Sequence, residues 1–391
     1  MGVDLPFPCQ RHAFSLPDGL HYLNCAYMSP LPRAVEEAGV AGLIRKRDPS
    51  RLSPEDFFLE SDEARRLFAD LVNAPDPSSV ALIPSVSYGV GVAARNTPLS
   101  GSQNIVLLEE QFPGNVYAWR RLAEDVGAEL RTVGPPPGPE RGRGWNEAIL
   151  EAIDDGTGVV ALAPVHWTDG TVFDLKAIGA RAREVGAALV VDGTQSVGAM
   201  AFDVQEVRPD ALIVASYKWL FGPYSVGLGF YGPRYREGIP LEETWIAREG
   251  SQDFRRLVDY QEGYQPGAVR FDVGERSNFI LVPMLVAALK LVAGWGPEAI
   301  QRYVGGLTGA LLEEARELGY GLEEETFRAA HLFGLRTPQG MEMAALKMAL
   351  DREEVSASLR GSALRVAPHV YNDPSDVEAL MRALKGARRT G

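Results

Sequence analysis

The chain has 391 residues, 46% hydrophobic and 23% charged, enough for about two ordinary globular domains with ample core. A formal net charge of −13 argues against a nucleic-acid groove or an anionic membrane surface as the main partner, though a local basic pocket is compatible with it. Two cysteines, Cys9 and Cys25, are too few for a disulfide scaffold or a metal cluster.

The amino terminus carries Pro6 and Pro8 and no basic-then-apolar segment, and no run reaches membrane-span length, so a cytoplasmic enzyme is expected. Residues 1–25 read as an arm packing on a small carboxyl-terminal domain, and 33–47 and 54–72 as amphipathic helices. From 80 to 232, short apolar strands alternate with helix-length segments. The strands are 80–84, 104–108, 128–133, 159–163, 187–192, 211–216 and 227–231, and the helices include 87–96, 115–126, 146–153 and 175–185. This alternation predicts an α/β fold with a mostly parallel seven-stranded sheet covered on both faces. The Pro/Gly/Arg-rich stretch 134–144 reads as a surface loop. Beyond Pro283 the pattern turns to long helices (284–293, 299–318, 376–384) with an occasional strand. The expected division is therefore a large domain over 26–282 and a smaller α+β domain over 283–391.

Chemistry concentrates where strands end. The apolar run 187–191 closes on Asp192-Gly193-Thr194-Gln195, and the run 211–215 delivers Ser216-Tyr217-Lys218. A carboxylate and an amine at the ends of two buried strands suit pyridoxal 5′-phosphate (PLP), which needs a lysine Schiff base and an acid partner for its ring nitrogen. The pair also fits a plain strand-end Asp and an exposed Lys, as in many open α/β sheets. Ser85-Val86-Ser87, between the first sheet strand and a helix, offers backbone N–H groups to a phosphate, or merely a serine cap. Gly89-Val90-Gly91-Val92-Ala93-Ala94 matches G-x-G-x-x-A with Glu109 about twenty residues on, a dinucleotide fingerprint that would mean an NAD-binding oxidoreductase. Against it, Pro84–Tyr88 intervene between strand and glycines, which would place both glycines inside the helix. Phe112, past the end of the strand 104–108, is positioned to stack on a planar group or to fill core. His166-Trp167-Thr168-Asp169-Gly170 lies at the mouth of the sheet, where His166 reads as a hydrogen-bonding or structural residue. Arg365 sits in a short β-like segment interrupted by Pro368, as a grip for a carboxylate or as a surface arginine on an edge strand.

Taken in order, Asp192-Gly193-Thr194-Gln195, Ser216-Tyr217-Lys218 and Arg365-Val366-Ala367-Pro368-His369 resemble the class V aminotransferase family of fold type I PLP enzymes, which includes cysteine desulfurases, kynureninase and isopenicillin N epimerase. The resemblance runs from residues 22–30 to 365–372. It implies Lys218 as the Schiff-base lysine, Asp192 as the partner of the ring nitrogen and Gln195 as the residue facing the phenolic oxygen. It further implies Ser85, Val86, Ser87 and Tyr217 around the phosphate, Phe112 on the ring, Thr168 among the cofactor's neighbours, and Arg365 on the substrate carboxylate with Asn24 and Ala26 beside it. Two departures stand out. Residues 323–364 hold no cysteine, where desulfurases carry their nucleophile, and Glu275-Arg276 stands near where a Gly-Thr-Pro is frequent. The expected activity is amino-acid transamination, with C–S or C–C β-lysis or epimerisation as the alternative, in a homodimer whose residues 270–278 cross to the neighbour. A fold kept without catalysis is a further reading that Lys218, Asp192 and Arg365 argue against.

Overall fold

Strands buried on both faces are apolar at every position instead of at alternate ones, and such runs form the centre of this molecule. The computed structural model describes residues 5–138 and 141–390, so the first four residues of the arm and Pro139-Glu140 of the 134–144 loop lie outside the described residues. After a two-residue strand, β1 (His21–Tyr22), come β2 (Val80–Ile83), β3 (Asn104–Leu108), β4 (Glu129–Val133), β5 (Thr157–Leu162), β6 (Ala188–Asp192), β7 (Ala211–Ala215) and β8 (Gly227–Tyr231). The last seven make one sheet in the order β2-β8-β7-β6-β5-β3-β4. Side-chain alternation splits each run between two layers. Val80, Leu82, Leu212 and Val214 pack with Phe68, Ile149, Ile178 and Leu285, whereas Ala81, Ile83, Ala211 and Ile213 pack with Val90, Ala93 and Trp119. The expected sheet is therefore present, with helices on both faces.

All pairs are parallel except those of β8, which is antiparallel to both β2 and β7. A parallel return needs a crossover of about a dozen residues or more, usually helical. The connection 216–226 is shorter and carries no helix. It folds back on itself instead, with the Ser216 hydroxyl reaching the carbonyls of Pro223 and Val226, both at 2.7 Å.

The rest of the chain builds a second, α+β core from β9 (Phe333–Arg336), β10 (Val355–Ser356), β11 (Ser358–Arg360) and β12 (Ala363–Val366) with the helices Pro297–Glu317, Met343–Arg352 and Pro374–Thr390. β11, β12 and β9 form an antiparallel sheet, and β1 pairs in parallel with β10, so this part of the arm lies on the smaller core. Two boundaries differ from expectation. Residue 283 does not begin the second core: it is the third residue of the helix Leu281–Trp295, whose Val282, Leu285 and Leu289 pack into the large one. Proline is accepted there because a first-turn N–H has no intrahelical acceptor. The helix expected at 146–153 begins earlier, as Arg141–Ala152, because Trp145 and Ile149 are both core residues and pull the preceding turn into register.

Candidate functional site

Because β8 runs against both β2 and β7, the strands β2, β3, β5, β6 and β7 point the same way, and their carboxyl ends meet at one edge. Ligands of open α/β sheets bind at that edge. A cavity of about 190 Å³ lies there, lined by Ser85, Val86 and Ser87 after β2, Phe112 after β3, His166 and Trp167 after β5, Asp192 and Gln195 at the end of β6, and Tyr217 and Lys218 after β7.

Lys218 and Asp192 face this shared space and are both nearly buried, at 6% and 7% exposure. Neither enters an ion pair among the described residues. Burial pushes the amine of Lys218 down to about 8, against the pull of the Asp192 charge, which works to raise it. Burial likewise pushes the Asp192 carboxyl up, countered by Thr194, whose N–H donates to it at 3.1 Å, and by Lys218. Two desolvated groups of opposite charge that sense each other across a gap leave room for a third body between them. The Lys218 Nζ lies 5.3 Å from the centre of the Phe112 ring, which in turn packs edge-on against Trp167 at 5.5 Å.

At the other end of the cavity, the helix Val86–Arg95 begins with Ser85 as its cap. The Ser85 hydroxyl accepts the Tyr88 N–H at 3.1 Å. Capping is thus real, and it does not consume the first-turn amides of Val86 and Ser87, which an anion can take. The glycines of the dinucleotide fingerprint lie inside this helix and not in the turn. A Cβ on Gly89 would stand 2.7 Å from Ile213 and 2.8 Å from Ile83, so that glycine serves helix-on-sheet contact. The nucleotide reading is thereby corrected.

Other expected residues are placed differently. Thr168 does not line the cavity: its hydroxyl is turned to His166 Nδ1 at 2.7 Å, while His166 Nε2 meets the Glu109 carbonyl at 3.2 Å. Asn24 and Ala26 are buried behind the wall. The Ala26 carbonyl accepts from the side chain of Gln195 at 3.1 Å, and the Asn24 side chain accepts from Ser358 at 2.8 Å. Gln195 is further fixed by Trp219, whose indole N–H donates to its oxygen at 2.9 Å. Arg365 is not on an edge, and like Thr168 it does not line the Lys218 cavity. It sits on β12, the central strand of the smaller sheet, at 1% exposure. Its Nη1 donates to the Trp167 carbonyl at 2.8 Å and its Nη2 reaches Ser358 at 3.4 Å; Nε is buried without an acceptor, and no carboxylate pairs with the guanidinium among the described residues. Burial, then the nearby Arg360 charge, pushes it down to about 10.

Trp167, Trp219 and Tyr224 were given no role from sequence. Trp167 and Tyr224 line the cavity, Tyr224 packing on Tyr217 at 4.6 Å, and Trp219 backs it through Gln195. Adjacency to Lys218 was the one local signal for Trp219.

Residues 53–383 match the family described as aminotransferase class-V. The chain is similar to the uncharacterized aminotransferase YcbU of Bacillus subtilis, 27% identical over 81% of each chain. It is also similar to isopenicillin N epimerase of Streptomyces clavuligerus, 26% identical over 93% of each. Among solved structures, a cysteine desulfurase from Escherichia coli superposes with a TM-score of 0.79 at 20% identity, covering 97% of this chain and 98% of that one. The cavity's donor set fits the family's cofactor, PLP: an amine for its aldehyde, a carboxylate for its ring nitrogen, an aromatic face, and free helix amides for its phosphate. The chain belongs to the class V aminotransferase family, PLP-dependent enzymes of fold type I.

Proposed function

We propose that the protein is an aminotransferase acting on an α-amino acid, with Lys218 as the residue that holds PLP and moves the proton at the substrate α-carbon. The observation that carries this reading is the pair of buried, mutually unpaired groups, Lys218 and Asp192, facing one cavity. When bound, PLP supplies an aldehyde for the substrate amine and a protonated ring that draws electrons from the α-carbon. The protein's part is positional and electrostatic. Asp192 keeps a negative charge opposite the ring nitrogen in a site where charge pairs are strong. Lys218, pushed down to about 8, is poised as base and then acid near neutral pH. The Phe112 ring would support the cofactor's ring, and the amides of Val86 and Ser87 would hold its phosphate. Arg365, a buried guanidinium with a free Nε–H, would take the α-carboxylate and so orient the substrate α-carbon. A homodimer belongs to this reading, with residues 270–278 as the crossing segment.

Full-length likeness to isopenicillin N epimerase supports a second reading, epimerisation. A two-base epimerisation needs a second proton carrier facing Lys218, and His166, both of whose ring nitrogens are engaged, is not placed to be it. Desulfuration finds no nucleophile: Cys25 is fully buried, and burial pushes its thiol well above the usual range.

The test is a half-reaction of the holoenzyme with single amino acids and no acceptor. Transamination releases one equivalent of the matching 2-oxo acid and stops. Repeated turnover to pyruvate, ammonia or sulfide would instead make it a lyase, and α-deuteration with loss of optical activity but no oxo acid would make it an epimerase.

A further inference from the structure

The three-stranded sheet has two unlike faces, and the pairing register assigns them. Opposed residues in an antiparallel pair share a face, and residues two apart on a strand share it too. Arg365 opposes both Ser358 and Gly334, and Ala363 opposes both Arg360 and Arg336. One face therefore carries Arg336, Arg360 and Arg365, while Leu335, Leu359, Leu364 and Val366 turn the other way into the smaller core.

The three guanidiniums are not equivalent. Arg336 is neutralised by Glu323 at 3.2 Å. Arg365 and Arg360 have no carboxylate partner among the described residues. Arg360 donates only to its neighbour's carbonyl, at 3.0 Å from Leu359, and its Nε is buried without an acceptor. Its guanidinium lies 5.5 Å from the Trp167 ring centre. Trp167 also walls the Lys218 cavity, so the space in front of Arg360 adjoins that cavity across one indole. That space is about 560 Å³ and also contains Glu110, Arg141 and Asp169, the last two paired with each other. Arg360 is felt as a positive charge by both Lys218 and Arg365. Arg360 and Arg365 are diagonal neighbours in the register, which sets their backbones roughly 7–8 Å apart.

We propose that Arg360 binds a second, side-chain carboxylate, so that this site works on acidic amino acids and their dicarboxylic 2-oxo partners. The inference rests on the aminotransferase reading for its reaction, and on Arg360 alone for its specificity. Arg365 fixes the α-carboxylate and Arg360 the distal one, with Trp167 supporting the second guanidinium through its ring face.

The experiment compares the holoenzyme with its Arg360→Gln and Arg360→Lys variants in two readouts. The first is kcat/KM for L-glutamate and L-aspartate against L-glutamine and L-alanine. The second is calorimetric binding of glutarate and succinate against butyrate, which needs no turnover. The parent is expected to favour the diacids by about tenfold or more, the size of a charge-assisted hydrogen-bonded contact. Arg360→Gln is expected to remove that preference while leaving the neutral compounds unchanged, and Arg360→Lys to keep part of it. Equal losses for acidic and neutral compounds would overturn the proposal, because Arg360 would then serve the α-carboxylate or the Trp167 packing; so would a parent with no acidic preference. Arg360-dependent glutarate binding by a protein that yields no oxo acid would keep this inference and sink the transaminase reading.

Discussion

The two sheets of this molecule present functional groups in opposite ways. The seven-stranded sheet is apolar on both faces and has no face to offer, so its chemistry sits beyond the strand ends: Asp192 closes β6, Lys218 follows β7, and Ser85 follows β2. The three-stranded sheet has only one face covered by core, and its chemistry stands on the other, where Arg365 and Arg360 project from paired strands. A double-sided core gives rigid strand ends with loops free to vary, whereas a one-sided sheet gives a fixed spacing between side chains. The groups proposed to hold the cofactor belong to the first kind of support, and the cations proposed to hold the substrate to the second.

Removing the amine breaks the larger sheet's contribution most completely. Lys218→Ala should lower turnover by about a thousandfold or more, and borohydride should no longer fix the cofactor to the chain. A label that persists elsewhere would reassign the attachment residue.

The seam between the two supports is next. Gly170 has a φ of +77°, and a Cβ there would overlap the Leu332 carbonyl just before β9. Gly170→Ala should cost about 3 kcal/mol or more, read as a lower denaturation midpoint, since neither the backbone nor the carbonyl can yield cheaply.

Charge burial at the strand ends is testable without cofactor. Lys218 titrates near 8 when folded, against an ordinary value of 10.5. Between those values the unfolded chain holds the proton that the folded one has lost, so stability rises with pH through that window. Below about 8 the buried ammonium is a net cost. Lys218→Met in the cofactor-free protein should thus be more stable at pH 7 by about 2–3 kcal/mol. The advantage should shrink steadily from pH 8 to 10, and a gap independent of pH would show that methionine packing is responsible.

The smallest expected effect separates the two sheets. Arg365→Gln should lower kcat/KM by about thirtyfold, the scale of a lost charged hydrogen bond, with the visible absorbance of the bound cofactor unchanged. A variant that also lost that absorbance would tie the smaller sheet to cofactor binding and dissolve the distinction.

The central sheet was legible because its strands are long apolar runs between turns, a pattern that local sequence carries by itself. Asp192, Gln195, Tyr217 and Lys218 were legible because each lies within a few residues of such a run. Thr168 was misplaced for a reason no spacing reveals: its hydroxyl had a choice between the cavity and His166, and a contact made in three dimensions settled it. Asn24 and Ala26 were read as lining and act from behind the wall, since their partners, Ser358 and Gln195, are remote in the chain.

Sequence by itself determined the α/β layering, the edge where the strand ends meet, and the lysine and carboxylate found there, because burial period and turn chemistry are local properties. Tertiary structure alone decided that β8 runs against its neighbours, that residue 283 lies inside a large-core helix, and that the Arg365 guanidinium is held on the Trp167 carbonyl. Those outcomes depend on register and on which surfaces meet, and the free energy that fixes them comes from contacts between residues tens to hundreds of positions apart.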